Sequence, residues 1–488
     1  MNRRDYAKMM ALGVASVAGS SLAGKATRPN LLIIHTDEHN FRTLGCYRNL
    51  LREDQAFVWG KGVKVDTPHI DRIANEGAIC MNYYAASPVC SPSRASLMSG
   101  QYPITTGTWK NGIPMKDEVV TFAEVLRREG YATSYLGKWH LDGKGHPQFA
   151  PQRQFGWADN RFMWNGGHWK KMAQNADGSP RIGAVNHKGK PTGKVDGADE
   201  ESFTTDWLTN RSLEILERDY QQPFCLMVSI PDPHSPNTVR KPYDTLFDNL
   251  AFEPPRTRKR MPAGTLPRWR SSENKNGGKV FDPKQMSGYF GMVKCIDDNV
   301  GRLLNFLEEK GIADNTVVVF TSDHGDMLYE HDQINKGQPF DGSSRIPFVI
   351  RYPKKIAAGK VIHKAYNNTD FAPTILGLMG ASSLPNAQGS DCSADLLSTD
   401  QEIADDRISY MAEANGLWVA TVSRKHKLIY SSKGEPFLFD LEKDPDELVN
   451  FYADPAYKTV LKTMHDALVK QMTIVQGPES KKTTVPAI

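Results

Sequence analysis

Six cysteines (Cys46, Cys80, Cys90, Cys225, Cys295 and Cys392) are scattered through this 488-residue chain without a single Cys-x-x-Cys pair. That excludes a zinc ribbon and gives no readable disulfide framework. An excess of one charge sign is also missing: 60 Lys and Arg face 56 Asp and Glu, for a net charge of +4. Bulk charge therefore gives no reason to expect a nucleic-acid partner. No segment reaches about 18 consecutive apolar residues, so no stable membrane span is expected. Internal repeats and low-complexity tracts are absent as well. What is left is an ordinary globular composition, 24% charged and 39% hydrophobic. The length suits one large α/β unit with a smaller companion.

The N-terminus carries Asn2-Arg3-Arg4-Asp5-Tyr6-Ala7-Lys8, followed by a weakly apolar stretch from Met9 to Ala23. This resembles a twin-arginine export signal, with Ser21-Leu22-Ala23 as a cleavage tripeptide. Residues 1–27 are accordingly expected to engage export machinery, and the protein to act in the periplasm or outside the cell.

Continuous apolar runs at Leu31–Ile34, Ala132–Leu136, Phe224–Ile230, Thr316–Phe320 and Ile346–Ile350 predict buried parallel strands, because buried parallel strands do not alternate with polar residues. Between them lie helices. Thr121-Phe122-Ala123-Glu124 has capping-box spacing with Gly130 as the stop, and Val293, Ile296, Val300, Leu303, Leu304 and Leu307 recur at helical spacing before Gly311. Such alternation predicts a parallel sheet with helices on both faces. Two long stretches, Gly166–Gly197 and Ser235–Pro283, lack periodicity and are rich in Gly, Pro, Lys and Arg. The second contains Arg256 to Arg260 and Arg268-Trp269-Arg270, which read equally as contacts to an anionic polymer or as solvated loop. After Gly389, short strands at Leu417–Val422, His426–Tyr430 and Pro436–Leu441 precede a helix from Pro455 to Met472. The expected division is 28–388 for the main unit, 389–475 for a small C-terminal subdomain and 476–488 for a tail.

The polar residues are the informative ones. Asp37 and Glu38 follow the first run, Lys138 and His140 the second, His234 the third, and Asp323 and His324 the fourth. Each cluster falls just past the carboxyl end of a predicted strand, the edge at which open α/β sheets bind ligands. Four separate segments thus deliver acids, imidazoles and a lysine to one edge.

Cys90 lies in Pro88-Val89-Cys90-Ser91-Pro92-Ser93-Arg94-Ala95-Ser96-Leu97-Met98-Ser99-Gly100. This run resembles the signature of type I sulfatases, the formylglycine-dependent members of the alkaline phosphatase superfamily. The resemblance extends to Pro29–Glu38, Gly137-Lys138-Trp139-His140, Pro233-His234-Ser235-Pro236, Thr321–Asp326, Asn335-Lys336-Gly337 with Phe340–Pro347, and Phe439–Glu447. It covers the chain from about Arg28 to Tyr452.

The resemblance implies an alkaline-phosphatase-like α/β fold, a mostly parallel sheet sandwiched by helices with a smaller C-terminal α+β subdomain. It implies a sulfuric ester hydrolase acting on sulfated carbohydrates, with a sulfated saccharide as substrate partner. A formylglycine-generating or sulfatase-maturating enzyme would oxidise Cys90 to an aldehyde whose hydrate is the nucleophile, leaving five thiols and hence at least one free. The implied ligands of a divalent metal ion, with calcium (Ca2+) expected, are Asp37, Glu38, Cys90 after oxidation, Asp323 and His324. The family commonly has Asp where Glu38 stands, so holding a nearby lysine is the competing role for Glu38. By the same resemblance Arg94 orients the hydrate, His140 handles its proton, His234 serves the leaving oxygen, and Lys138 and Lys336 bind sulfate oxygens. His39, His168, His331 and Asp326 lie near these motifs and read as ordinary polar loop residues. Two other functions share part of the pattern. One is a formylglycine-dependent phosphonate monoester or phosphodiester hydrolase, which also uses an Asp-His metal pair. The other is an inactive sulfated-glycan-binding protein whose Cys90 is never oxidised.

Overall fold

The computed structural model describes residues 28–258 and 277–475, apart from 405, 414 and 433, together with 483, 485, 486 and 488. The export-signal region, the tail expected at 476–488 in large part, and Lys259, Arg260 and Arg268-Trp269-Arg270 lie outside the described residues.

A large sheet is built from β1 (Asn30–Asp37), β2 (Ala78–Tyr84), β3 (Ala132–Lys138), β4 (Met163–Trp164), β5 (Phe224–Pro233), β6 (Thr316–Ser322), β7 (Phe348–Arg351), β8 (Lys360–Asn367) and β9 (Glu402–Ile403). The spatial order is β9-β8-β2-β7-β6-β1-β5-β3-β4. Its helices include α1 (Cys90–Ser99), α2 (Phe122–Arg128), α3 (Thr204–Asp219), α4 (Pro283–Glu309) and α5 (Phe371–Met379). Strand β1 shows why both faces are covered. Leu31 and Ile33 pack with Leu97, Phe122, Leu126 and Ile375, whereas Leu32 and Ile34 pack on the other face with Trp207, Leu216, Ile296 and Leu304. A strand buried on both sides has no polar positions to alternate, which is the run seen in the sequence. Thr121 caps α2 as its spacing predicts, its side chain accepting from Glu124 N.

One expected strand differs. The run Ile346–Ile350 becomes β7, Phe348–Arg351, and it pairs antiparallel to both β2 and β6. The reason lies in the preceding segment: between Ser322 and Phe348 the chain has only short helical turns, Glu330–Asp332 and Asp341–Ser344. No crossover helix returns it to the amino edge, and a parallel partner requires one. Strands β2 and β8, which pair parallel with each other, were not anticipated. The aperiodic stretch Gly166–Gly197 also contains a small antiparallel ribbon, Met172–Gln174 with Pro180–Ile182.

The C-terminal region forms an antiparallel sheet of β10 (Ser409–Ala412), β11 (Trp418–Val422), β12 (His426–Ser431) and β13 (Phe437–Asp440), with α6 (Lys458–Ile474) packed on it. One face of this sheet packs Trp418, Ile429 and Phe439 against Tyr84, Met327 and Phe340 of the main unit. All six cysteines are buried and unpaired. Among the described residues no helix is long and apolar enough to cross a membrane.

Among the described residues of the second insert, Arg256 and Arg258 face acidic residues of the fold. Arg256 binds Asp446 through Nε (2.6 Å) and Asp54 through Nη2 (3.0 Å), and Arg258 Nε lies 3.5 Å from Asp332.

Gly137, just before Lys138, has φ +91°, and a Cβ there would stand 1.9 Å from the Ser229 carbonyl oxygen of β5. Backbone, not a movable side chain, fills the space, so only glycine fits. Gly137→Ala is expected to destabilise the protein by about 2–4 kcal/mol. Denaturant unfolding checks this, and a loss below the range would mean that β3 can shift away from β5.

Candidate active site

Helix α1 begins at Cys90 because Val89 is extended (φ −140°, ψ 138°) and Ser93 N bonds its carbonyl at 2.9 Å. Pro92 sits in the first turn, where a missing N–H is harmless, and Gly100 closes the helix in the left-handed conformation. Cys90 therefore stands at the positive end of a helix dipole. It is fully buried. Its Sγ lies 3.2 Å from His324 Nε2 and 3.9 Å from Asp37 Oδ1. Burial and Asp37 oppose ionisation of the thiol, but Lys138, Lys336 and His324 overcome both and hold it well below the ordinary thiol range.

One helical turn on, Arg94 is 1% exposed and spends its donors on four segments. Nε binds Asp323 Oδ2 at 2.8 Å, Nη2 binds Asp37 Oδ2 at 3.2 Å, and Nη1 binds the Lys138 carbonyl (2.7 Å) and Ser229 Oγ (2.8 Å). The guanidinium fork thus ties α1 to the carboxyl ends of β1, β3, β5 and β6. Asp37 also receives Lys138 Nζ. Burial pushes the Asp37 carboxyl up, yet Lys138, His168, His234 and Arg94 hold it well below the usual range. Asp323 goes the other way: burial and the neighbouring Asp37 charge raise it.

Asp37, Cys90, Asp323 and His324 form one group whose ligand atoms all lie within 4.8 Å of one another. His324 Nε2 stands 3.6 Å from Asp37 Oδ1 and 3.4 Å from Asp323 Oδ1. Two ligands on one ion, each about 2.0–2.5 Å from it, stand roughly 3–4 Å apart, so the residues fit a divalent cation. The Asp323 charge, with smaller help from Cys90, overrides burial to raise His324 to about 9, the response of an imidazole in an anion-rich pocket. Glu38 is not in this group. Burial pushes its carboxyl up to about 8 against the pull of Lys336. Its oxygens face Lys336 Nζ (3.4 Å) and His234 Nε2 (3.1 Å), without an aligned hydrogen bond to either. Its carboxyl thus faces Lys336 and His234, outside the Asp37–Cys90–Asp323–His324 group.

Toward the mouth, Lys336 Nζ contacts His234 Nε2, and the His234 ring stacks on His168 with centroids 3.4 Å apart and planes at 8°. His168 Nε2 lies 2.7 Å from Lys138 Nζ. His168 is therefore no ordinary loop residue but part of this cluster, delivered by the first insert. The other three residues expected to be plain loop groups are buried inside the fold. Asp326 Oδ1 accepts from Leu328 N and Asn335 N, His331 stacks on Phe340 at 3.8 Å, and His39 Nε2 meets Thr43 Oγ1 at 3.0 Å. His140 is buried beside Cys90 with Nδ1 unbonded, and burial with Lys138 lowers it to about 4, so the ring is neutral. Glu38 (φ +65°) and His140 (φ +64°) are both strained non-glycine residues, as functional sites often hold. His35 and Ser229 were missed. His35, buried in β1 with neither ring nitrogen bonded, was signalled by a lone histidine inside an apolar run.

The segment bearing Lys336 is gripped by the C-terminal sheet. Trp418 Nε1 donates to the Gly337 carbonyl at 2.9 Å, and buried Lys427 Nζ donates to the Pro339 carbonyl (3.0 Å), Asp341 (2.6 Å) and Glu447 (2.7 Å). Glu447 in turn accepts from Asp341 N at 2.8 Å.

This constellation, at the carboxyl edge of such a sheet, agrees with comparisons to known proteins. A family model described as Sulfatase matches residues 29–381, and one described as N-sulphoglucosamine sulphohydrolase, C-terminal, matches residues 329–473. The chain belongs to the sulfatase family, the formylglycine type within the alkaline phosphatase superfamily, and is an enzyme of that class. It is 28% identical to the Ulvan-active sulfatase of Formosa agariphila, over 91% of this chain and 81% of that one. It is 27% identical to the N-acetylglucosamine-6-O-sulfatase of Bacteroides thetaiotaomicron, over 98% and 92%. A solved structure in complex with its substrate D-glucosamine-2-N,6-O-disulfate shares the fold with a TM-score of 0.74 at 24% identity, covering 93% of this chain and all of that one. The phosphonate monoester hydrolase of Agrobacterium radiobacter shares it at 0.68 and 21% identity, over 92% and 96%.

Trp418→Phe keeps an aromatic ring but removes the donor to Gly337 along with the pyrrole part of the buried indole. It is expected to raise KM for an aryl sulfate by about 3- to 10-fold, the worth of one hydrogen bond. Steady-state kinetics check this, and an unchanged KM would mean that Lys336 is held without Trp418.

Proposed function

We propose that this sulfatase removes sulfate from sulfated carbohydrates, with oxidised Cys90 as nucleophile beside a divalent cation, calcium being the expected ion. The observation that carries the reading is the position of Cys90 Sγ within the Asp37–Asp323–His324 group, where the charges of Lys138 and Lys336 act on it. Sγ marks the place of the hydrate oxygens after oxidation. The relatives support the substrate class, being a sulfatase active on ulvan and one named for N-acetylglucosamine 6-O-sulfate.

A bound divalent cation would be held by Asp37, Asp323 and His324, with oxidised Cys90, and would offset negative charge on nucleophile and sulfate oxygens. His324 adds an imidazole to the oxygen donors, so metal restoration is the direct test of calcium. Lys138 and Lys336 hold sulfate oxygens, fixed cations in a buried site where they count most against developing charge. Arg94 keeps Asp37 and Asp323 in register under the nucleophile. His234 supplies a hydrogen bond or proton to the bridging oxygen, so the alcohol departs toward the mouth. His140 takes the hydrate proton as sulfate is expelled. The reading includes a maturing enzyme that oxidises Cys90 before the fold closes over it, and export by the 1–27 signal to the periplasm or beyond. The competing reading, a formylglycine-dependent phosphonate monoester or phosphodiester hydrolase, is compatible with the Asp323-His324 pair and the shared fold.

With one preparation, turnover of an aryl sulfate is expected to exceed that of the matching aryl phosphonate, and the reverse order would favour the competing reading. Lys138→Ala is expected to lower kcat/KM by about 10²- to 10³-fold. Dialysis against EDTA is expected to remove activity by more than about 10²-fold, with calcium restoring it. Restoration by another divalent ion and not by calcium would overturn the metal assignment.

A further inference from the structure

Lys170 is wholly buried, two residues after His168 in the first insert, and so is its partner Asp232, two residues before His234 at the end of β5. An ammonium has three protons to give, and here all three go to the surroundings of His234. Nζ donates to Asp232 Oδ1, to the His234 carbonyl at 3.2 Å and to Met292 Sδ of α4 at 3.0 Å. The second Asp232 oxygen accepts from Thr205 Oγ1, on α3, at 2.6 Å. The backbone around Lys170 is itself fastened: its carbonyl accepts from Thr204 N (3.3 Å), and the Trp169 carbonyl accepts from Thr204 Oγ1 (2.7 Å). Lys170 thus joins the two segments that carry the stacked His168 and His234 rings, and seats both on the helices behind them.

Stability alone does not call for this ion pair. Taking two charges out of water is costly, and apolar residues of similar volume often serve a core as well or better. What the pair supplies is placement. His234 Nδ1 is bonded to a carbonyl, that of Ser235, at 2.8 Å, so Nδ1 carries the proton and donates it. Nε2 is then the nitrogen that faces the site, 3.1 Å from Glu38 Oε2 and against Lys336 Nζ. The ring is therefore aimed by the backbone of its own turn and moves with it. Asn237 Nδ2 ties that turn to itself through the Pro233 carbonyl at 3.3 Å, whereas Lys170 reaches it from another segment. A group displaced by about 1 Å from its reacting atom can lose about 10²-fold in rate. We infer that Lys170 is a positioning residue for departure of the alcohol: its buried ammonium holds the His234 turn where Nε2 reaches the leaving oxygen. The inference rests on the assignment of His234 to that oxygen.

The test uses the oxidised, metal-loaded full chain and two esters. The leaving oxygen of p-nitrophenyl sulfate departs with little help from a proton, and that of phenyl sulfate needs it. Lys170→Met, similar in length and uncharged, is expected to lower kcat/KM for phenyl sulfate by about 10- to 100-fold and for p-nitrophenyl sulfate by less than about threefold. In a His234→Ala chain the same substitution should change either rate by less than about twofold, since a residue acting through His234 then has nothing to place. If melting shows that Lys170→Met misfolds around the unpaired Asp232, Lys170→Met combined with Asp232→Asn leaves no buried charge and is judged by the same rates. No loss, equal losses on the two esters, or a loss that persists without His234 would overturn the inference. His234→Ala alone separates this outcome from failure of the underlying assignment. If it slows phenyl sulfate the more, the role of His234 stands and only that of Lys170 falls; if it slows both esters equally, both fall.

Discussion

The site is organised around one buried guanidinium. Asp37 and Asp323 are both fully buried, and two carboxylates taken from water side by side repel each other and favour protonation. Arg94 answers both charges at once, and with its remaining donors it fixes the Lys138 carbonyl and Ser229. Because Arg94 stands four residues after Cys90 on α1, the bonds that assemble the strand ends also set where the Cys90 side chain points. A lysine could neutralise charge there but could not fork across these segments.

Above this floor the site changes character. The floor residues Asp37, Asp323, His324, Arg94 and Lys138 are all buried at the sheet's carboxyl edge. The mouth residues His168, His234 and Lys336 keep 13 to 22% of their side-chain surface exposed. They come from loops, and each is steadied from outside the sheet: His168 by stacking on His234, and Lys336 by a segment that Trp418, Lys427 and Glu447 hold. The C-terminal sheet is thus a structural partner of Lys336. This division suits an enzyme whose bond-breaking chemistry is shared across a family while its substrates differ.

Much of the floor was legible in the sequence because buried parallel strands leave continuous apolar runs, and the polar residues after them stand out. Asp37, Lys138 and Asp323, and at the mouth His234, were placed by that logic alone, and Cys90 and Arg94 by their motif. Less was visible where long-range pairing decides. Ala78–Tyr84 mixes Asn82 and two tyrosines into its run, so β2 and its partner β8 carried no clean periodicity. The direction of β7 depends on the absence of a crossover helix, a property of the whole 323–347 segment and not of the strand. His168 sits in an aperiodic insert, and only tertiary stacking reveals it. Nothing in the strand expected at His426–Tyr430 marks Lys427, whose charge is buried against Asp341 and Glu447.

The central claim is that oxidised Cys90 carries the chemistry, and it is tested most directly by pairing mass with turnover. Batches matured to different extents would be digested, and the fraction of Cys90 peptide lighter by about 18 Da, the replacement of CH2SH by CHO, would be plotted against kcat per chain. The account predicts a straight line through the origin. Substantial turnover at zero conversion would contradict it.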